Sequence, residues 1–377
     1  MSVTVTPVSG RRDLDAFIKL PFRLYRDDPN WVPPLLFLER QRFSPKTNPF
    51  LLHADHQLFL AHRNGAAVGR ISAQVDREHN RHHEERTGFF GFFECEDDPE
   101  VAGALLGAAE GWLRERGMET ARGPLSFSIN QEAGLLIEGF DTPPMIMMNH
   151  SRPYYGRLIE GAGFAKAMDL YAWQYNLETV PPKAHGAVET LRQRPDITIR
   201  SGDIHRFNEE IGIILDVFNS AWSDNWGFVP VTPAEAHHMA KELRQIVDPN
   251  MVVIVEVDGK PAGVAMVTPD FNEAIRDLNG RLFPFGWAKL LWRLKVRRIK
   301  SGRLMILGVK KEYRTRHYLA MAYLLCDEIY HRARDRGYRR AELSWTLEAN
   351  TAINTMVHNI GIRLYKTYRL YEKPLMP

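Results

Sequence analysis

Cysteine is scarce in this chain of 377 residues; only Cys95 and Cys326 occur. They stand far apart and without a CxxC spacing, which argues against a disulfide scaffold and a thiolate zinc site. Long apolar runs are missing as well. No stretch of about 18 or more apolar residues is present, so no transmembrane helix is expected. The N-terminal MSVTVTPVSGRRDLDAF has no apolar segment behind a basic start, so no signal peptide is expected and a cytoplasmic location is the default. A net charge of +3 is too small to argue for nucleic acid as a partner. One window lacks acidic residues altogether. Between Asp277 and Glu312 the only charges are Arg281, Lys289, Arg293, Lys295, Arg297, Arg298, Lys300, Arg303, Lys310 and Lys311. A field of one sign this long suits an anionic partner, a phosphate-rich co-substrate or a lipid headgroup surface.

What the chain has in plenty is repetition. RNGAAVGRISAQVD (63–76) and VDGKPAGVAMVTPD (257–270) both read as strand, two-residue turn, strand, with Asn64-Gly65 and Asp258-Gly259 as the turns. The two glycines are 194 positions apart. WLRERGMETARGPLSFSINQ (112–131) and RARDRGYRRAELSWTLEANT (332–351) align Gly117 with Gly337, Ala121 with Ala341 and Asn130 with Asn350, each 220 apart. LIEGAGF and MVHNIGI align Gly163 with Gly361, 198 apart. The second half therefore carries an insertion of about 26 residues between hairpin and long helix, and the first half has its own insertion within 131–153. Each half reads as strand, one or two helices, hairpin, strand, long amphipathic helix, strand, short helix, strand. The long helices are expected over Pro99–Arg116 and Tyr318–Arg336, ended by Gly117 and Gly337. The pattern predicts a mixed-sheet α/β (α+β) fold in two copies: a domain over 1–178, a Pro-rich linker over 179–196, and a domain over 197–377 with an inserted basic amphipathic helix at about 270–300.

This element order is similar to the GNAT acyltransferase fold. Five longer motifs, FFGFFECEDD, GLLIEGFDTPP, NGRLFPFGW, ELSWTLEAN and RLYKTYRLYEK, resemble the YghO-like family, which is related to bacterial ceramide synthases. The likeness runs from about DDPNWVPPL (27–35) to the C-terminus. It implies two tandem GNAT-like units, acyl-CoA as co-substrate, an amine acceptor and no metal. In GNAT folds the CoA pyrophosphate sits over the turn into the long helix, where unpaired N–H groups and the helix dipole favour an anion. The resemblance places that turn at GVKKEYRTRHYLA (308–320), with Gly308, Val309, Arg314, Arg316, His317 and Tyr318 as cofactor-binding candidates and Asn350 across the cleft. The family's usual glycines are replaced by His317 and Leu319, which puts close backbone approach to phosphate in doubt; Lys310, Lys311 and Arg316 are expected to keep the turn positive. The matching turn in the first half, ECEDDPEVAGA (94–104), is acidic and would repel a pyrophosphate, so the first unit is expected to be a scaffold or one wall of the acceptor site.

Amide formation from a thioester needs a base for the amine, stabilisation of the oxyanion and an acid for the thiolate. Glu348, just past a strand end, is the candidate base. Asn354 is a polar site candidate, and the alternative for Asn350 is a helix N-cap. The Tyr that many GNAT enzymes carry four residues before the glycine at 361 is Val357 here, which leaves Tyr365, Tyr368 or His358 as replacements. Trp222, Asn225, Trp226 and Phe228 are acceptor-side candidates, apolar walls with polar contacts suited to a lipid-like amine; aromatic packing that pins the loop is the alternative. Trp287, Leu290, Leu291 and Leu294 at helical spacing among basic residues fit peripheral contact with the inner membrane, cover for an acyl chain, or packing on the second unit. His79 and His83 in DREHNRHHEE read as part of a charged, solvated helix rather than a metal site. The leading expectation is an acyl-CoA-dependent N-acyltransferase that acylates a sphingoid-type amine to a ceramide-like amide. Its rivals are transfer to a small amine or amino acid, aminoacyl transfer of the Fem type, and a non-catalytic lipid- or CoA-binding protein.

Overall fold

The computed structural model describes residues 2–178, 185–244 and 246–375. Its elements follow in chain order. The first half holds β1 (Thr4–Pro7), α1 (Gly10–Leu24), α2 (Leu36–Arg42), β2 (Ala54–Arg63), β3 (Ala66–Asp76), α3 (Arg77–His83), β4 (Thr87–Cys95), α4 (Pro99–Arg114), β5 (Thr120–Gly123), β6 (Leu125–Ser126), β7 (Glu132–Ala133), β8 (Leu135–Glu138), α5 (Tyr155–Gly161) and β9 (Ala165–Asn176). The second holds α6 (His185–Arg192), β10 (Ile197–Ser201), α7 (Phe207–Trp222), α8 (Pro233–Leu243), β11 (Val252–Val257), β12 (Lys260–Pro269), α9 (Phe271–Ile275), α10 (Gly286–Trp292), β13 (Ser301–Val309), α11 (Met321–Asp335), β14 (Arg340–Leu347), α12 (Thr351–Asn359) and β15 (Arg363–Pro374).

Matched local geometry marks the duplication. Asn64 and Gly65 have φ of 55° and 77°, Asp258 and Gly259 of 48° and 73°, the two successive positive angles a type I′ hairpin needs. Gly117 and Gly337 take positive φ, and the chain beyond each folds back alike: Met118 N–H donates to Leu113 O at 3.1 Å and Tyr338 N–H to Ala333 O at 3.0 Å. Gly163 and Gly361 do the same for the shorter helices, where Phe164 donates to Ile159 O and Ile362 to Val357 O.

The compact units are not the two sequence halves. One comprises residues 1–170, 275–283 and 366–377; the other comprises 171–274 and 284–365. The strand that ends each half changes unit along its length: β9 contributes its first six residues to the first unit and the rest to the second, and β15 divides the other way after Tyr365. The straight division at 178 and 197 expected from the sequence therefore differs from the packing. Residues 179–184 of the expected linker lie outside the described residues, and α6 follows them as a helix whose Val188 and Leu191 are buried in the second unit's core.

In the first unit the strand order is β1-β2-β3-β4-β5-β15, antiparallel except for the parallel pair β4/β5. Val101, Leu105, Leu106, Ala109 and Leu113 form the buried stripe of α4, and each large side chain contributes roughly 2 kcal/mol. His79 is 3% exposed, stacked edge-on to Phe89, and burial pushes its pKa down to about 4. The expected solvated helix is thus anchored by a buried neutral imidazole. In the second unit the order is β10-β11-β12-β13-β14-β9; β10 to β13 are antiparallel neighbours and β13/β14 is parallel. The cores of its two faces differ. Val253, Val255, Ala265, Leu304 and Leu343 pack with α11, whereas Val252, Ile254, Val264 and Met266 pack with Val217 of α7 and Leu243 of α8, as alternation along each strand requires.

Candidate active site

The parallel ladder between β13 and β14 runs from Ser301–Arg340 to Leu304–Leu343 and ends there. β13 continues to Val309 and β14 to Leu347. At the same point the β12/β13 register skips Met305, a bulge that turns β13 away from its parallel neighbour. Beyond Leu304 and Leu343 the facing backbone edges form a gap that an extended, amide-bearing chain can enter as an added strand.

At the far end of β13 the chain passes through two short 3₁₀ turns, Lys311–Tyr313 and Arg316–Tyr318, into α11. No side chain caps α11; its N-cap is Ala320, and Leu319 beside it is 77% exposed. The first-turn amides and the dipole are therefore open to an anion. The first unit supplies the contrast. Asp98 caps α4, accepting from Glu100 N–H at 2.8 Å and Val101 N–H at 3.4 Å, and Arg63 bonds both Asp98 and Glu100. The position equivalent to Gly308 is Glu94, turned inward, where it accepts the Tyr25 and Tyr155 hydroxyls at 2.7 Å each. Burial raises its carboxyl above the ordinary value. The first unit fills its own anion position with a carboxylate.

Around the second unit's turn the cofactor-binding candidates fall into three groups. Gly308 is covered by Trp222: a Cβ at Gly308 would lie 2.4 Å from the indole. Arg314 reaches back, donating through Nε to Val309 O at 2.9 Å and through Nη2 to Ala221 O, and desolvation lowers its pKa. It clasps the loop to the end of α7. Arg316 and His317 are exposed, while the Tyr318 hydroxyl donates to Asp196 at 3.0 Å beneath the Arg194 guanidinium. The local field is weaker than the sequence implies, because Lys310 pairs with Asp216 at 2.5 Å and Lys311 with Asp224 at 2.6 Å.

On the acceptor side Trp222 stacks on Phe218 at 4.8 Å, and Phe228 is 6% exposed against the same ring. Asn225 closes a turn: its N–H donates to Trp222 O and its carbonyl accepts from Phe228 N–H. Trp222 and Phe228 thus pin the loop by packing, and Trp226 is half-buried.

Glu348 is half-buried in the turn after β14. Asn354 holds that turn in place: its amide donates to Leu347 O at 2.9 Å and Glu348 O at 3.3 Å, while its carbonyl accepts from Thr346, which in turn accepts from the Trp173 indole. Asn350 is the N-cap of α12 and accepts from Ile353 N–H.

A further cluster, which no sequence motif marks, centres on Glu342. This residue is fully buried, accepts from Ser344 Oγ and from the Tyr365 hydroxyl, and lies 3.7 Å from Arg303. Arg303 Nε donates to Ser344 Oγ at 2.7 Å. Leu304 and Leu343 face α11, so Arg303, Glu342 and Ser344 face the α7 side, where the ladder ends. The first unit has Phe89, Arg122 and Pro124 at these places, judged by ladder register and the 220-residue repeat. The available signal was a Glu and an Arg at matching points of two apolar strands. Of the acid candidates, Tyr365 joins this cluster, Tyr368 is buried in the first unit, and His358 is exposed.

The two units carry the mixed sheet, hairpin and long helix of the GNAT class, twice over. A GCN5-related N-acetyltransferase from Sphaerobacter thermophilus superposes with a TM-score of 0.56 over 100% of this chain and 96% of its own at 15% identity. A tandem GNAT protein from the clavulanic acid biosynthesis pathway gives 0.58 over 100% and 99% at 11% identity. At these identities the likeness is one of fold. Sequence relatives are nearer: the bacterial ceramide synthase of Caulobacter vibrioides is 47% identical over 99% of this chain and 98% of its own, and protein YghO of Escherichia coli 45% over 97% and 94%. The chain belongs to this family of tandem GNAT-fold proteins. No protein-family model matches it.

Proposed function

We propose that the chain is an acyl-CoA-dependent N-acyltransferase, with its transfer site in the second unit and a sphingoid-type long-chain amine as acceptor. The carrying observation is the interrupted β13/β14 ladder leading to the uncapped N-terminus of α11, a path the first unit closes with Asp98 and Glu94. A pantetheine arm is an extended amide chain that suits the strand gap, and a pyrophosphate suits the open amides of α11. The name of the Caulobacter relative supports a long-chain amine over a small one.

The amine nitrogen attacks the thioester carbonyl, forming the C–N bond. The oxyanion is met by β13 backbone N–H groups at the gap. Collapse breaks the C–S bond, the amine proton goes to Glu348, and the leaving thiolate takes a proton from Tyr365. Asn354 acts as a positioning residue, because it fixes the backbone that carries Glu348. The acidic turn of the first unit makes that unit a support.

Contact with an anionic membrane surface fits the same reading. Trp287, Leu291, Trp292 and Val296 are each about half exposed or more, on α10 and the turn after it. Leu290 and Leu294 of the same stripe are half-buried. Arg297, Arg298, Lys300, Arg334, Arg336 and Arg339 line a groove of about 580 Å3 in the same unit. No helix among the described residues is long and apolar enough to cross a membrane.

The test is incubation of the purified protein with acyl-CoAs of graded length and a panel of amines, read by mass spectrometry for amide and by thiol release. Long-chain amide formed in proportion to free CoA is expected, and Arg314→Ala should weaken CoA binding by loosening the turn. Transfer to amino acids or small amines alone would replace the sphingoid acceptor. A protein with no measurable CoA affinity would overturn the mechanism.

A further inference from the structure

The second unit contains a cavity of about 230 Å3 between α11 and the sheet. Leu304 and Leu343, the last pair of the β13/β14 ladder, line it together with Cys326, Ala333 and Ile362. It therefore begins where the strand gap begins, on the α11 face.

Comparison with the first unit shows how the space arises. Ladder register equates Leu304 with Phe90, the 220-residue repeat equates Cys326 with Leu106 and Ala333 with Leu113, and the 198-residue repeat equates Ile362 with Phe164. All four first-unit residues are buried, and Phe90 and Phe164 meet edge to face at 5.1 Å. These four positions are smaller in the second unit, whereas Leu343, Ile329 and Ile360, which also line the space, stand where the first unit has Gly123, Ala109 and Ala162. The charges have gone as well. Where the first unit bridges Lys373 to Glu110 at 2.7 Å, the second places Tyr175 and Tyr330, with ring centroids 5.9 Å apart. A close-packed interior leaves few voids larger than a water molecule. The side chains around the space are redistributed between the units, and in the second unit they leave one mainly apolar void many times the size of a water molecule, against the last pair of the β13/β14 ladder.

We infer that this cavity receives the hydrocarbon tail of the acyl donor. The inference rests on the acyl-CoA reading above and adds where the chain goes. Apolar walls stay dry and take hydrocarbon, and the volume holds on the order of eight methylene-sized groups if each needs about the space of a liquid water. The donor tail is favoured over the acceptor tail by position. The cavity lies against α11, the helix whose N-terminus faces the CoA turn, whereas the aromatic loop after α7 lies with the opposite face of the sheet.

The experiment restores first-unit residues with C326L and A333L, singly and together, and A333V as a milder variant should the double variant fail to fold. Binding of acetyl-CoA and palmitoyl-CoA is measured by calorimetry, and transfer by product analysis. The wild type is expected to bind palmitoyl-CoA at least tenfold more tightly than acetyl-CoA. The filled variants should lose that margin, keep acetyl-CoA affinity and melt no earlier than wild type. An unchanged preference in the filled variants, or no preference in the wild type, overturns the site. A margin that shifts instead with the alkyl length of the amine assigns the cavity to the acceptor and likewise overturns it. Loss of the palmitoyl margin in a protein that acylates no amine upholds the cavity and rejects the transferase reading.

Discussion

The indole of Trp222 occupies the space that a side chain at position 308 would need, with a Gly308 Cβ placed 2.4 Å from the ring and 3.0 Å from Ala221. An acceptor-side candidate and a cofactor-side candidate are thus one packing unit, and the end of β13 takes its position from α7. Gly308→Ala must push the ring aside, and is expected to lower stability by about 1–3 kcal/mol in urea unfolding. Trp222→Phe in the same chain should recover part of that loss, because the two residues share the space. Additive losses in the double variant would show that they do not.

His79 makes the first unit sensitive to mild acid. Burial holds its pKa at about 4, below the ordinary 6.5. Between these values the unfolded chain binds the proton and the folded chain does not, so stability rises with pH across the window. The contribution is complete above about pH 6.5 and lost as pH falls toward 4, on the order of 3 kcal/mol. His79→Phe should flatten the slope between pH 7 and pH 5 in denaturant titrations. A slope equal to wild type would place its origin elsewhere.

The Glu342 cluster separates stability from catalysis. Glu342→Ala removes the buried carboxylate that faces Arg303 and takes the Ser344 and Tyr365 hydroxyls, and a loss of about 3 kcal/mol is expected. Tyr365→Phe removes one hydroxyl from the cluster and keeps the ring. If Tyr365 protonates the thiolate, kcat should fall by about 10²-fold or more with KM for acyl-CoA little changed, and the alkaline limb of the rate profile should move. Full activity in this variant would remove Tyr365 from the mechanism.

These sites also show what a sequence can carry. Hairpins and helix ends were legible because they depend on a few adjacent residues: Asn64-Gly65, Asp258-Gly259, Gly117 and Gly337 each need a positive φ that their neighbours do not. The acidity of the turn at 94–104 was legible for the same reason. The exchange of final strands was not. MDLYAWQYN and RLYKTYRLYEK are both aromatic and alternating, and alternation fixes which face is buried without saying which sheet a strand joins. Glu342 was hidden because its partners, Arg303 and Tyr365, stand 39 and 23 positions away. Lys310 and Lys311 read as free positive charge because Asp216 and Asp224 reach them only in the fold. The cavity was not legible because its walls come from β13, α11, β14 and the turn after α12, which only the fold brings together.

The exposed face of α10 yields the last expectation. Trp287, Leu291 and Trp292 are 48%, 50% and 51% exposed, and Val296 follows at 66%. Apolar side chains displayed this way beside Lys289, Lys295, Arg297 and Arg298 match an interfacial helix, whose binding combines buried apolar area with attraction to anionic lipid. Sedimentation with vesicles of phosphatidylglycerol and phosphatidylethanolamine should carry the protein down, and pure phosphatidylcholine vesicles should carry less. Raised salt should release part of it, since the Debye length shrinks to about 3 Å at 1 M. Trp287→Ala with Trp292→Ala should cut vesicle binding at least tenfold while leaving short-chain transfer in free solution unchanged, because neither residue belongs to the strand gap. Equal sedimentation of wild type and double variant would assign the exposed tryptophans another role.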